Sequence, residues 1–299
     1  MHVRGRIPSS GPTLDQNPEV IPSDPPAAGA ALFSLERERL LDLLGSFSEG
    51  DWERSTPCPG WDVADLAAHL LGDDLGLLAR QRDGHHGTVP PAGATAAGFA
   101  EWLDRLQDDW VRAARRISPR LTVDLLAWTG PQVERLMRAQ DPRARTGHVS
   151  WAADGPVPRW LDQLRELSEQ WIHRQHILQA LGRPDDLRVD LLIPILDALR
   201  WAYPHRLAGV GRPAGTTVTV AVGEPAGVIW HLVAGTAGWD HHQHAIQTPA
   251  AALRLTAGQA WRLLTNNLPA EEQAGLPATG DAELVAAVLG TRAIIGIPK

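Results

Sequence analysis

Between Ser34 and Tyr203 the apolar residues of this chain recur every three or four positions, and after Gly209 they recur every second position. The first spacing belongs to helices that bury one side, the second to strands that bury one face. The expected fold is therefore mainly α, a helical bundle followed by a small α+β unit. The change of period places the bundle at residues 32–206 and the smaller unit at residues 207–299, after a tail covering residues 1–31.

Leu35, Leu40, Leu41, Leu44 and Phe47 mark one side of a first helix, with Ser34 as its cap and Gly50 as its end. Two prolines stiffen the connection Thr56-Pro-Cys-Pro-Gly-Trp61, after which Asp62 caps a second helix. Its packing side is Val63, Leu66, Ala67, Leu70 and Leu77, bordered by Asp62, Asp65, His69 and Asp73. A third helix carries Phe99, Trp102, Leu103, Leu106, Trp110, Ala113 and Ile117 on one side. Pro131 is placed to open a helix through Met137, and Asp141-Pro142 and Gly155-Pro156 read as breakers. A long helix is expected from about Pro158 to Leu181, stopping at Gly182, and another from Leu191 to Tyr203. Strands are expected at Thr216–Val222, Gly227–Val233 and Ala251–Leu255, with Thr256 and Asp281 capping two last helices.

Prolines at positions 8, 12, 18, 22, 25 and 26 prevent regular helix in the tail, so disorder is expected there. The formal net charge of −7 offers no electrostatic footprint for nucleic acid or an anionic membrane. No apolar run approaches the roughly 18 residues needed to span a bilayer. These features are those of a soluble, cytoplasmic protein, monomer or homodimer, with neither nucleic acid nor membrane as a partner. Cys58 is the one cysteine, which excludes an internal disulfide and multi-cysteine zinc staples.

Chemistry concentrates in Glu169-Gln-Trp-Ile-His173. At helical spacing the carboxylate and imidazole lie within about 40° of each other around the axis, one turn apart. His69, on another helix, supplies a third ligand if the two helices face each other across the bundle. Two imidazoles and a carboxylate are the donor set of catalytic divalent-metal sites, which keep a position open. The plain alternative is a solvated Glu169–His173 pair beside a core histidine. His176 fits three roles: fourth ligand, hydrogen-bonding supporter of the ligands, or proton carrier. Asp240-His-His-Gln-His244 with His231 suggests either a second metal site or, in preference, a solvated loop. Between its two prolines and with only Arg54 near it in sequence, Cys58 reads as structural.

Asp51-Trp52, Thr56-Pro-Cys-Pro-Gly-Trp61, Asp65, Ala68-His-Leu70, Glu169-Gln-Trp-Ile-His-Arg-Gln-His176 and Ala180-Leu-Gly-Arg-Pro184 together resemble the mycothiol-dependent maleylpyruvate isomerase family of actinobacteria, within the DinB-like metalloenzyme superfamily. Leu253-Arg-Leu-Thr256, Trp261-Arg-Leu-Leu264 and Gly280-Asp281 are similar to that family's sterol-carrier-like C-terminal domain. The resemblance implies a DinB-like up-and-down bundle, a His69, Glu169 and His173 metal triad, Zn2+ or another divalent ion, and mycothiol as thiol cosubstrate. At His176 many relatives carry an acidic residue, so the surroundings of the triad differ here. The family also uses a C-terminal arginine, for which Arg206, Arg212, Arg254 and Arg262 are candidates; the residues that would contact the thiol are otherwise unassigned.

With no well-placed cysteine, a thiol reaction needs an imported nucleophile. The expected activity is that of an S-transferase or cis-trans isomerase acting on an electrophilic small molecule, with thiol transfer slightly preferred. Two other readings stand beside it: a non-catalytic ligand-binding protein with a vestigial metal site, and a metal-dependent hydrolase with Glu166 or His176 as base.

Overall fold

A computed structural model describes residues 21–22, 25, 28–244 and 246–294. Helix α1 (Gly29–Gly45) is followed by the short α2 (Glu49–Trp52), then α3 (Val63–Leu77), which runs on into a π-helical turn, Leu78–Arg82. Next come α4 (Ala96–Ala114) and α5 (Pro119–Ala139), a small antiparallel pair β1 (Arg145–His148) and β2 (Pro156–Pro158), and the long α6 (Arg159–Ala180). Helix α1 packs on α5 and α6, and α3 packs on α4, α5 and α6. Their shared interior holds Leu40, Leu44, Leu66, Leu70, Leu71, Leu126 and Ile177, all essentially buried. Each such side chain contributes about 1.5–3 kcal/mol by leaving water. None of the described helices is long and apolar enough to cross a membrane.

Two buried ionic clusters tie the bundle together. Arg37 grips Asp74 with both guanidinium arms, at 2.6 and 2.9 Å, and also donates to Leu126 O and Gln170 Oε1. Its sequence neighbour Glu36 accepts from Arg174 Nε and Nη2 at 2.5 and 2.9 Å. The consecutive pair Glu36-Arg37 thus fixes α1 against α3, α5 and α6 at once, a role that an apolar-spacing argument does not detect.

Helices α7 (Val189–Leu199) and α8 (Ala202–Leu207) lead to the sheet, formed by β3 (Thr217–Val222), β4 (Val228–Ala234), β5 (Trp239–His242), β6 (Ala251–Leu255) and β7 (Ala278–Gly280). The strand order is β5-β4-β3-β6-β7, with β3 and β6 parallel and the other neighbours antiparallel. Alternation in β3 turns Val218, Val220 and Val222 inward. Helices α9 (Ala257–Leu264), α10 (Ala270–Ala274) and α11 (Ala282–Leu289) complete this part. One core passes from α6 and α7 into the sheet, and the indoles of Trp171 and Trp261 meet edge-on in it with centroids 5.5 Å apart.

A helical N-terminal part and a small sheet-containing C-terminal part are as the apolar periods predict, but several boundaries differ. Helix α1 starts at Gly29, so Ser34 lies within it and its hydroxyl turns back to Ala30 O rather than capping. Gly50 lies inside α2. Ser118 caps α5 with Pro119 at its first turn, which leaves Pro131 in the helix interior. The stretch expected as one helix to Tyr203 is broken at Arg200–Trp201. Gly155-Pro156 leads directly into β2, and β5 and β7 carry too few alternating residues to be read locally. Ile21 is buried and Pro22 O accepts from Trp160 Nε1 at 2.8 Å, so those tail residues are tied to α6. The disorder expected over residues 1–20 lies outside the described residues.

Candidate metal centre

Asp62 caps α3 through a capping box with Asp65, and two turns later the helix presents His69 toward α6. Asp65, read in sequence as a border residue, is buried and bound by both arms of Arg115 at 2.9 and 2.8 Å. On α6, Glu169 Oε2 and His173 Nε2 lie 3.5 Å apart, and the rings of His69 and His173 meet edge-on with centroids 4.7 Å apart. One donor atom each from His69, Glu169 and His173 falls within a 4.8 Å circle. The three residues singled out in sequence come together from two helices.

Gln107 of α4 organises the far side of His69. Its Oε1 lies 3.3 Å from His69 Nδ1, while its Nε2 donates to Asp73 Oδ1 at 3.1 Å. An amide oxygen at Nδ1 places the imidazole hydrogen there, so Nε2 carries the lone pair. That nitrogen faces Asp73 Oδ2 at 3.3 Å. Burial, then the charge of Glu169, pushes the Asp73 carboxyl up to about 7, which suits a proton shared with the His69 lone pair. Burial, aided by the charge of His173, keeps His69 neutral by lowering it to about 4. The indole of Trp61 covers His69 at 5.0 Å between centroids, and Trp110 Nε1 donates to Ala68 O at 2.7 Å, just before it.

Burial opposes ionisation of Glu169, yet the hydrogen bond and charge of His173, with Arg165, outweigh it and hold the carboxyl at about 2. For His173 burial again opposes the charge, and Cys58 and Glu169 together lift it to about 10. Glu166, next to Arg165, is raised by burial to about 7. A neutral imidazole, an ionised carboxylate and a second imidazole that must release a proton form a donor set fit for a borderline divalent cation.

Cys58 belongs to this cluster, contrary to its reading as structural. Thr56 closes the proline-rich turn by donating from Oγ1 to Trp61 O at 2.8 Å, and Gly60 supplies the left-handed φ of +82° that brings the chain round. The turn aims Cys58 Sγ at His176 Nδ1, 3.4 Å away, and at His173 Nδ1, 3.9 Å away. Burial disfavours the thiolate, but the two imidazoles prevail and bring the thiol down to about 5. The basic partners lie 115 and 118 positions further along the chain, so nothing near Cys58 in sequence announces them.

His176 is buried beside His173, with the Nδ1 atoms 3.3 Å apart. Its Nε2 lies 2.9 Å from Asn267 Oδ1, just after α9, so Asn267 is a C-terminal side chain that reaches the cluster. Arg262 is engaged by Asp185 at 2.7 Å, and Arg212 by Asp281 and Glu283 at 2.8 Å each. His242 and His244 are exposed, and His231 pairs with Thr219 Oγ1 at 3.0 Å across two strands. Among the described residues this second histidine group brings no three donors together. A groove of about 610 Å³ lies elsewhere and is lined by Arg183, Asp185, Glu224, Thr256 and Arg262 among others.

The family model of the mycothiol maleylpyruvate isomerase N-terminal domain matches residues 33–177, a span that holds His69, Glu169, His173 and His176. That segment is similar to this domain. Uncharacterized proteins from two strains of Mycobacterium tuberculosis are each 28% identical over 160 residues, covering 52% of this chain. The match spans 58% of the length of those curated relatives. Crystal structures of the mycothiol-dependent maleylpyruvate isomerase and of a mutant of it are also similar, at TM-scores of 0.48 and 0.49 and 14% identity, over 85% of this chain and 93% of theirs.

Proposed function

We propose that this protein is a divalent-metal-dependent enzyme that uses mycothiol as a low-molecular-weight thiol, as an S-transferase or a cis-trans isomerase acting on an electrophilic small molecule. One observation carries the reading: within the segment that matches the mycothiol maleylpyruvate isomerase N-terminal domain, donor atoms of His69, Glu169 and His173 lie within 4.8 Å of one another. In this reading those residues hold the cation, Zn2+ by preference of the donor set. Such a cation, when bound, favours thiolate over thiol at neutral pH.

The chain's own residues do the rest. Gln107 and Asp73 hold the His69 ring with its Nε2 lone pair directed away from Gln107. Trp61 shields the same ring from water. His176, steadied by Asn267, stands beside His173 as a proton holder for the exchange of thiol and product. Residues 207–299, taken as a C-terminal unit, bound the site from the Asn267 side.

Metal-loaded protein incubated with mycothiol and a panel of electrophiles, maleylpyruvate among them, should consume thiol or isomerise substrate in a metal-dependent way. His173→Ala should abolish both. Absence of both activities from the loaded protein across the panel defeats the proposal.

A further inference from the structure

We infer that Cys58, His173 and His176 form a second metal seat, with one sulfur and two nitrogen donors, for a soft or borderline divalent cation such as Zn2+. The inference goes beyond the reading above and does not require mycothiol.

Spacing is the first argument. Tetrahedral coordination with bonds of about 2.3 Å to sulfur and 2.0–2.1 Å to nitrogen sets ligand atoms about 3.3–3.6 Å apart. Here His173 Nδ1 and His176 Nδ1 are separated by 3.3 Å, and Cys58 Sγ lies 3.9 Å from the first and 3.4 Å from the second. All three donors fall within a 4.8 Å circle. Two sides of the triangle are already of the size that a single cation would impose, and the third, from Cys58 Sγ to His173 Nδ1 at 3.9 Å, needs to shorten by only a few tenths of an ångström.

Orientation is the second argument and is independent of the first. Asn267 Nδ2 donates to Thr265 O and Thr265 Oγ1, both at 2.9 Å, so its Oδ1 is the atom turned to His176 Nε2. Glu169 Oε2 stands at 3.5 Å from His173 Nε2. Each imidazole therefore has an oxygen acceptor at Nε2, which holds a hydrogen there, so that once His173 gives up its second proton to an arriving cation both Nδ1 lone pairs face the sulfur. Two lone pairs and a sulfur converge with at most the thiol hydrogen to share among them. A cation satisfies all three at once. Metal-bound histidines are oriented in this way, with the outer N–H given to a carboxylate or amide oxygen.

The two seats share His173 through opposite nitrogens. A neutral imidazole has one lone pair, so His173 serves one cation at a time. With the cation in the sulfur seat, Cys58 occupies a coordination position that an external thiol would otherwise take, and Glu169 becomes the hydrogen-bond acceptor behind His173. Cys58 is then a built-in competitor of the thiol cosubstrate.

The test strips the full-length protein with chelator and loads it with Co2+ in thiol-free buffer, using wild type, His69→Ala and Cys58→Ser. Wild type and His69→Ala should each bind one Co2+ and show a sulfur-to-metal charge-transfer band. X-ray absorption of the Zn2+-loaded His69→Ala protein should show one sulfur at about 2.3 Å. As a measurement on wild type alone, one equivalent of Zn2+ should slow alkylation of Cys58 by iodoacetamide by about tenfold or more, because the coordinated thiolate is no longer free to react. Metal bound without a sulfur signature in wild type, or alkylation indifferent to Zn2+, overturns the inference. A Cys58→Ser protein that binds no metal counts instead against the His69, Glu169 and His173 seat, so the two proposals fail separately.

Discussion

Gly72 lies directly beneath the indole of Trp110: a Cβ added to Gly72 would stand 2.4 Å from Trp110 Nε1 and 2.6 Å from its Cδ1. The indole cannot slide away cheaply, since the same Nε1 donates to Ala68 O at 2.7 Å. The missing side chain at position 72 is what lets α4 close on α3 and bring Gln107 to His69. Gly72→Ala should cost about 1–3 kcal/mol of stability, the usual range for overpacking. It should also weaken metal binding beyond what the stability loss explains. Urea unfolding alongside a chelator-competition titration checks both, and unchanged metal affinity would separate α4 closure from the site.

Gln107 itself offers a cleaner probe, because it touches His69 and Asp73 without being one of the donors. Gln107→Ala frees the His69 ring to adopt either tautomer. Residues that orient a ligand in this way are worth roughly 10–100-fold in metal affinity. A loss in that range is expected from isothermal titration with Zn2+, with circular dichroism unchanged. Gln107→Glu, which keeps an acceptor at Nδ1 but loses the donor to Asp73, should recover only part of it.

How much of this is legible in the sequence depends on range. Glu169 and His173 are a local pair, set by one helical turn, and Asp62, Thr256 and Asp281 announce their helices through caps that sit next to them. The approach of His69 follows only once α3 and α6 are taken to face each other. Cys58 is illegible, since its partners arrive from more than a hundred residues away and its own neighbours are prolines. Asn267 is hidden for the same reason. The interior Pro131 misleads because proline is commonest at helix starts, yet Ser118 and Pro119 had already opened the helix. β5 and β7, of four and three residues, owe their existence to β4 and β6 beside them rather than to their own pattern.

Glu36 and Arg174 make a second kind of prediction, about stability alone. Both are buried, so removing Glu36 leaves the Arg174 guanidinium buried with Asp186 Oδ2, at 3.0 Å, as its remaining carboxylate partner. Glu36→Ala is expected to cost about 3–5 kcal/mol, whereas replacing both residues with leucine or methionine of similar volume should cost far less or even stabilise. Denaturant midpoints of the two variants decide the matter. If the single variant is as stable as the double, the pair contributes little.

Metal binding should release a proton, with a sign set by the cluster itself. In the metal-free protein His173 is lifted to about 10 by Cys58 and Glu169, so it carries its proton at neutral pH. His69, lowered to about 4, and Glu169, held at about 2, are already in their ligand forms there. A cation bound through His173 must displace that one proton, which makes binding stronger as pH rises toward about 10. Below that value, and above about 4, affinity should fall by about tenfold for each pH unit lost. Calorimetric titrations of Zn2+ at pH 7 in buffers of different ionisation enthalpy should report about one proton released per cation. A value near zero would mean that His173 is neutral before the metal arrives, and that Cys58 holds its own hydrogen in the metal-free protein.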